Sequence, residues 1–185
     1  MNKTVYLLLA PGFEETEAIC PLDLLRRAGL NVKTVAVGGE RTVVSTHGIP
    51  VVADCLLEEI EGSVPDAVVL PGGMPGTNNL DVPAVHKLIL SCRAAGGLLG
   101  AICAAPKILG GLGLLDGVRA TCFPGFEKTL GQAVFAGYGE VQAEDRIVTA
   151  SAMGYAREFG LALVRELVSK EKASELAKSV RPADD

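Results

Sequence analysis

The sequence predicts an α/β protein: a flavodoxin-like three-layer sandwich with a mostly parallel, doubly wound sheet and a small edge hairpin. Three observations lead there. Short runs rich in Val, Ile and Leu recur without polar alternation, as strands buried on both faces require. Between them lie longer stretches of helical period, and that alternation marks βα units. Three of the apolar runs break straight into turns, LLLAPGFEETE, AVVLPGGMPG and LLGAICAAP. In an open parallel sheet such turns collect beyond the carboxyl ends of the strands, where the winding reverses.

The elements follow in order. Strands are expected at 5–9, 32–37, 67–70, 98–102, 119–122 and 147–150, and helices at 15–28, 83–95, 104–112, 125–130, 155–169 and 172–180. The first helix opens on Glu14, Glu15 and Glu17 and closes on Arg26 and Arg27, the charge order its dipole favours. Gly29 supplies a left-handed stop. RTVVSTHGIPVVAD reads as a hairpin turning near His47 and Gly48, an excursion at the sheet edge because Pro50 removes a ladder donor. Residues 181–185 are polar and expected to fray. With no repeat and no linker, 1–185 is read as one domain.

Composition narrows the function. A net charge of −5 with no clustered Lys or Arg argues against a nucleic-acid groove or a membrane-surface patch. The apolar run at the N-terminus is too short for a membrane span and is followed at once by acids, so no signal peptide is expected. Five cysteines, at 20, 55, 92, 103 and 122, form no CxxC pair. An odd count without a secretion signal points to reduced thiols and the cytoplasm. Two histidines in the whole chain argue against a multi-histidine metal site, and no metal or cofactor is expected.

Cys103 is the candidate nucleophile. Cys20, Cys55 and Cys92 are read as small buried hydrophobes, whereas Cys103 lies at a strand-to-helix elbow followed by Ala104, Ala105 and Pro106. Such elbows strain the backbone, expose the side chain and set it before the amides of a helix N-terminus, which favour the thiolate. Glu14 and Glu17, three apart, share a helix face, whereas Glu15 points elsewhere. Two full charges about 3.5 Å apart repel by roughly 5 kcal/mol at an effective dielectric of 20. If Glu17 approaches the sulfur, the pair therefore shares one proton; the expected form at neutral pH is a protonated Glu17 beside an ionised Cys103. The amides of Gly72 and Gly73 are candidates to hold an oxyanion. Neither His86 nor His47 is placed near the sulfur, and Ser151 reads as a helix cap.

On these residues the chain resembles the ThiJ/PfpI superfamily, in the branch of the parkinsonism-associated deglycase and bacterial YajL. The likeness spans APGFEETEAICPLDLLRRAG, PDAVVLPGGMPGTNNL and AAGGLLGAICAAP, in that order and spacing. It implies a homodimer, an oxidation-prone cysteine at Cys103, a partner acid at Glu17, a second acid at Glu14, glycine amides at Gly72 and Gly73 that face the sulfur, and an interface arginine at Arg27. Two departures matter. Ala104 stands where the peptidase-like branches carry histidine, which disfavours peptidase activity, and Phe123 stands where animal members have a histidine near the site. Cys122, beside Phe123, reads either as a second thiol near the crevice or as a packed core position.

The resemblance implies a cofactor-free enzyme of glyoxalase III or deglycase type, acting on methylglyoxal, glyoxal or their glycated adducts through Cys103 and Glu17, with Gly72, Gly73 and Ala104 on the oxyanion and substrate. The alternative is a redox-sensing, stress-protective or chaperone-like protein regulated by oxidation of Cys103 to sulfinic acid. A flavodoxin-like binding module is the third option. An FMN role is disfavoured because PGFEETE is acidic where a phosphate cradle needs donors.

Overall fold

The computed structural model describes residues 3–181. Its strands and helices are β1 (Thr4–Leu9), α1 (Glu15–Arg27), β2 (Asn31–Ala36), β3 (Thr42–Val44), β4 (Pro50–Val52), β5 (Cys55–Leu56), β6 (Ala67–Leu70), α2 (Gly76–Leu80), α3 (Pro83–Ala94), β7 (Leu98–Ile102), α4 (Pro106–Gly111), β8 (Arg119–Ala120), β9 (Val134–Phe135), β10 (Gln142–Glu144), β11 (Ile147–Ala150), α5 (Ala156–Leu167) and α6 (Lys170–Ser179). The main sheet has seven strands in the order β10-β11-β7-β6-β1-β2-β5. Only the β10–β11 pair is antiparallel. Leaving the two-residue β5 and the antiparallel β10 aside, the parallel strands follow the flavodoxin order, and the winding reverses between β1 and β6.

The apolar runs lack polar alternation because both faces of the sheet are covered. In β1, Val5, Leu7 and Leu9 enter the core under α1, α5 and α6, while Tyr6 and Leu8 enter the core under α3 and α4. Helix α1 crosses α5 closely where Gly160 lacks a side chain: a Cβ there would lie 2.7 Å from Leu24 Cδ1 and 3.0 Å from Pro21 Cα. Gly29 ends α1 at φ +84°, the left-handed stop that its position predicts.

Several expectations change. The strand expected at 119–122 shrinks to β8, which leaves the main sheet to pair with β9. Thr121 and Phe123 turn their amides away from any ladder, to Thr149 Oγ1 and to the Cys103 carbonyl. The helix expected at 125–130 is a single 3-10 turn, Glu127–Thr129, with no side chain capping it. That expected at 104–112 contracts to α4, and that at 155–169 to α5, preceded by a 3-10 turn. Ser169 caps α6 by accepting from Lys172 N, so α6 starts earlier than expected. Ser151 caps nothing: it is buried and donates to the Tyr138 carbonyl at 2.7 Å. The expected fraying concerns residues of which 182–185 lie outside the described ones.

The hairpin forms as its own two-stranded sheet, β3-β4. It then reaches back over the loop after β1. Gly12 N donates to Val44 O and Thr46 N to Phe13 O, both at 2.8 Å. The topology thus lays hairpin, first loop, glycine loop and cysteine elbow side by side.

Candidate active site

Three neighbouring strands, β1, β6 and β7, deliver the site from their carboxyl ends. The loops after β1 and β6 touch backbone to backbone: Glu14 N donates to Gly72 O at 3.0 Å, and Gly76 N to Gly12 O at 3.1 Å. Glycine makes this approach possible, since a Cβ on Gly73 would stand 2.5 Å from Glu14 N. Gly73 also takes φ +92°, a conformation that costs glycine nothing.

After β7 the chain turns sharply at Cys103, whose φ is +65°. A side chain there is strained and persists only where its surroundings fix the backbone. They do so on both sides: Cys103 N donates to Ala150 O at 2.9 Å, and its carbonyl accepts from Phe123 N at 2.7 Å. The thiol is partly exposed.

Glu17 meets the sulfur. It lies in the first turn of α1, only 1% exposed. Its Oε2 accepts from Gly72 N at 2.9 Å, and its carboxyl lies against Cys103, whose thiol favours its charged form. Gly72 fits between them: a Cβ there would lie 2.5 Å from Glu17 Oε2 and 2.7 Å from Cys103 Cβ. Glu14 does not reach the sulfur. It caps α1, accepting from Glu17 N at 2.7 Å, and its charge acts on Glu17 through space.

The electrostatics follow from burial and proximity. Burial pushes Glu17 up to about 7, and the charge of Glu14 adds to the rise. Burial pushes the Cys103 thiol up to about 12, helped by the charge of Glu17 and by donation to it, against the amides of Ala104 and Gly73, which favour the thiolate. Both shifts run upward, so burial opposes the ionised sulfur expected from the helix amides, and the pair shares one proton. The reason is the short reach of the elbow. Helix α4 starts three residues on, at Pro106, and the two amides on the sulfur do not offset desolvation.

Gly72 also departs from expectation. Its amide is engaged by Glu17, and of the amides considered for an oxyanion those of Gly73 and Ala104 are the ones that favour the Cys103 thiolate. Arg27 pairs on the surface with Asp23 at 2.7 Å. Cys122 is fully buried in the core, as its packed reading requires, and Cys20 is partly exposed rather than buried.

Residues that the sequence does not single out complete the surroundings. Glu15 accepts from Ser45 Oγ at 2.6 Å and His47 N at 3.1 Å, and meets His47 Nδ1 at 2.9 Å, pinning the hairpin tip to α1. Burial opposes its ionisation, but these bonds win and hold it down to about 2. Glu14, Glu15 and His47 bring ligand-type atoms within 4.8 Å, yet Glu15 and His47 bond one another and Glu14 caps the helix. Lys107, on α4, donates to Asn78 Oδ1 at 2.6 Å and ties the elbow helix to α2. These partners lie tens of residues apart, beyond the reach of local pattern.

The chain is similar to known proteins over most of its length. The model of the DJ-1/PfpI family matches residues 3–166. Protein DJ-1 homolog B of Arabidopsis thaliana is 39% identical over 178 residues, covering 95% of this chain and 41% of that protein. The chain thus spans less than half the length of that relative. A Caenorhabditis elegans protein named glutathione-independent glyoxalase is 32% identical, covering 96% of this chain and 95% of its own. The crystal structure of Drosophila melanogaster DJ-1beta superposes with a TM-score of 0.91 at 34% identity, covering 100% of both chains. A mutant DJ-1 superfamily protein from Salmonella typhimurium gives 0.91 at 39% identity, covering 96% of this chain and 97% of its own.

Proposed function

The chain belongs to the DJ-1/PfpI family, and from that premise we propose that it is a cofactor-independent thiol enzyme acting on α-oxoaldehydes such as methylglyoxal and glyoxal. The carrying observation is the buried Glu17 carboxyl set against Cys103, whose backbone is held at φ +65° on the elbow. The name of the nematode relative points the same way.

The pair needs no free thiolate. As the sulfur attacks the aldehyde carbon, its proton passes to the Glu17 carboxylate, so the charge moves onto the new hemithioacetal oxygen rather than accumulating. The amides of Gly73 and Ala104, which favour the thiolate, are the candidates to steady that oxygen. Once the oxygen has taken the proton back, Glu17 removes the proton from the former aldehyde carbon and returns it to the neighbouring carbonyl carbon, while the hydroxyl proton passes from the first oxygen to the second, leaving a thioester of the 2-hydroxy acid. The first carbon is oxidised as the second is reduced. Water then displaces the sulfur, giving lactate from methylglyoxal or glycolate from glyoxal and restoring the thiol. One water is consumed and no external oxidant is needed. Glu14 serves by holding the first turn of α1 and raising Glu17. In deglycation the sulfur instead takes the place of the amine or thiol on the carbinol carbon, the released group leaves with the thiol's proton, and the later steps are the same.

A homodimer is part of this reading, by family likeness and by the exposed Val44, Ile49 and Val52 on the hairpin. So are a cytoplasmic setting, suited to five unpaired cysteines, and residues 1–185 acting as one unit. Among the described residues no helix is long and apolar enough to cross a membrane. The redox-sensing reading draws on the partial exposure of Cys103, an opening for peroxide as much as for an aldehyde.

The test is conversion of methylglyoxal to lactate by wild type, Cys103→Ala and Glu17→Gln in amine-free buffer. We expect Cys103→Ala to be inactive and Glu17→Gln to lose about 10²–10⁴-fold in kcat. Lactate formation by Cys103→Ala at the wild-type rate removes the reading.

A further inference from the structure

The chain has five Phe and three Tyr. Phe13 and Phe159 are fully buried, yet Phe123, Phe135 and Tyr138 keep 42, 40 and 40% of their surface exposed. Among the described residues these are the exposed aromatics, and all three fall within 123–138. Exposed aromatic surface is unfavourable in water, and its concentration on one segment marks a place where something apolar binds.

That segment is fastened to the cysteine elbow at one end and beside β11, the strand that pairs with β7, at the other. Phe123 N donates to the Cys103 carbonyl at 2.7 Å. At the other end the Tyr138 carbonyl accepts from Ser151 Oγ at 2.7 Å, and Ser151 follows Ala150, the residue whose carbonyl receives Cys103 N. Between them Ala136 N donates to Ala120 O at 3.0 Å and Thr121 Oγ1 to Gly137 O at 2.6 Å. The rings are held as well. Phe135 and Tyr138 meet edge to face with centroids 5.2 Å apart. The Tyr138 hydroxyl donates to Glu127, which also accepts from Gly125 N at 2.8 Å.

We infer that Phe123, Phe135 and Tyr138 form an apolar rim to the Cys103 site that selects 2-oxoaldehydes carrying an aromatic or extended apolar substituent over methylglyoxal. The inference rests on Cys103 being the nucleophile. Methylglyoxal offers one methyl group to such a rim; a phenyl substituent offers a whole face, and buried apolar area is what rewards it. The chemistry is otherwise unchanged: R–CO–CHO takes up one water and leaves as R–CHOH–COO⁻ and a proton. A protein partner is the other class of occupant for exposed aromatics. The anchoring of one end of the segment at the elbow and of the other beside β11 favours a molecule that is also in reach of the sulfur.

Two measurements on wild type, Phe123→Ala, Phe123→Leu and Phe135→Ala decide it. The first is the ratio of kcat/KM for phenylglyoxal to that for methylglyoxal. The second is the ratio of Cys103 alkylation rates by phenacyl bromide and iodoacetamide, each divided by its rate with free glutathione. In wild type both ratios are expected to favour the aromatic reagent by at least about tenfold. Phe123→Ala should cut them by about fivefold or more and Phe123→Leu by less, with Phe135→Ala guarding against a folding defect at one position. Ratios near one in wild type, or unchanged in both alanine variants, overturn the rim. If neither aldehyde is turned over, the proposed enzyme function fails and the alkylation ratio alone passes or rejects the rim.

Discussion

Glu17 is buried beside a thiol and a second acid, and the proposed chemistry turns on its behaviour. Because burial and Glu14 together raise it to about 7, the carboxylate that accepts the thiol proton appears only as pH rises through neutrality. The pH profile of kcat/KM should therefore climb with an inflection near 7. Glu14→Gln removes a neighbouring negative charge, so the inflection should move to lower pH; a profile that stays in place would show that Glu14 acts on Glu17 only as a helix cap. Sequence alone offers Cys103 and Glu17 as candidates, because a cysteine at an elbow and an acid in a first helical turn are local features. The proton's position is not local. It depends on how deeply the tertiary fold buries both groups, and burial raises both.

At the scale of elements, the turn after β6 is shaped by what it must clear. A methyl group on Gly72 would meet both Glu17 Oε2 and Cys103 Cβ, whereas one on Gly29 would meet nothing within 4 Å. Gly72→Ala should therefore cost about 1–3 kcal/mol of stability through overpacking and abolish methylglyoxal turnover. Gly29→Ala should cost about 1 kcal/mol through its left-handed φ and leave turnover intact. Chemical unfolding paired with lactate assays checks both, and equal loss of activity in the two variants contradicts this account of Gly72. The long apolar strands β1, β6 and β7 and the helices α1 and α3 were legible because their periodicity is set by burial on defined faces. The short elements were not. Strand β8 pairs away from the main sheet through tertiary bonds from Thr121 and Phe123, and α2, only five residues long, has too few turns to show a period.

For the whole molecule, the doubly wound sheet places its reactive pair where β1 and β6 diverge, and this burial has a measurable consequence for stability. Glu17 binds its proton more tightly folded than unfolded, where its value is 4.5. Its contribution to stability is full below 4.5 and is lost as pH rises through about 7. Glu17→Gln lacks this loss, so relative to wild type it should gain on the order of 3 kcal/mol between pH 4.5 and pH 8; a stability difference independent of pH would mean that Glu17 is not buried as described. The most direct test of the shared proton is an ultraviolet titration of the Cys103 thiolate, taken as the difference from Cys103→Ala, in wild type and in Glu17→Gln. The account predicts that wild type forms no thiolate until well above pH 8.5, and that Glu17→Gln lowers the transition by at least about one pH unit because the opposing carboxylate is gone. Identical titration curves in the two proteins would contradict it.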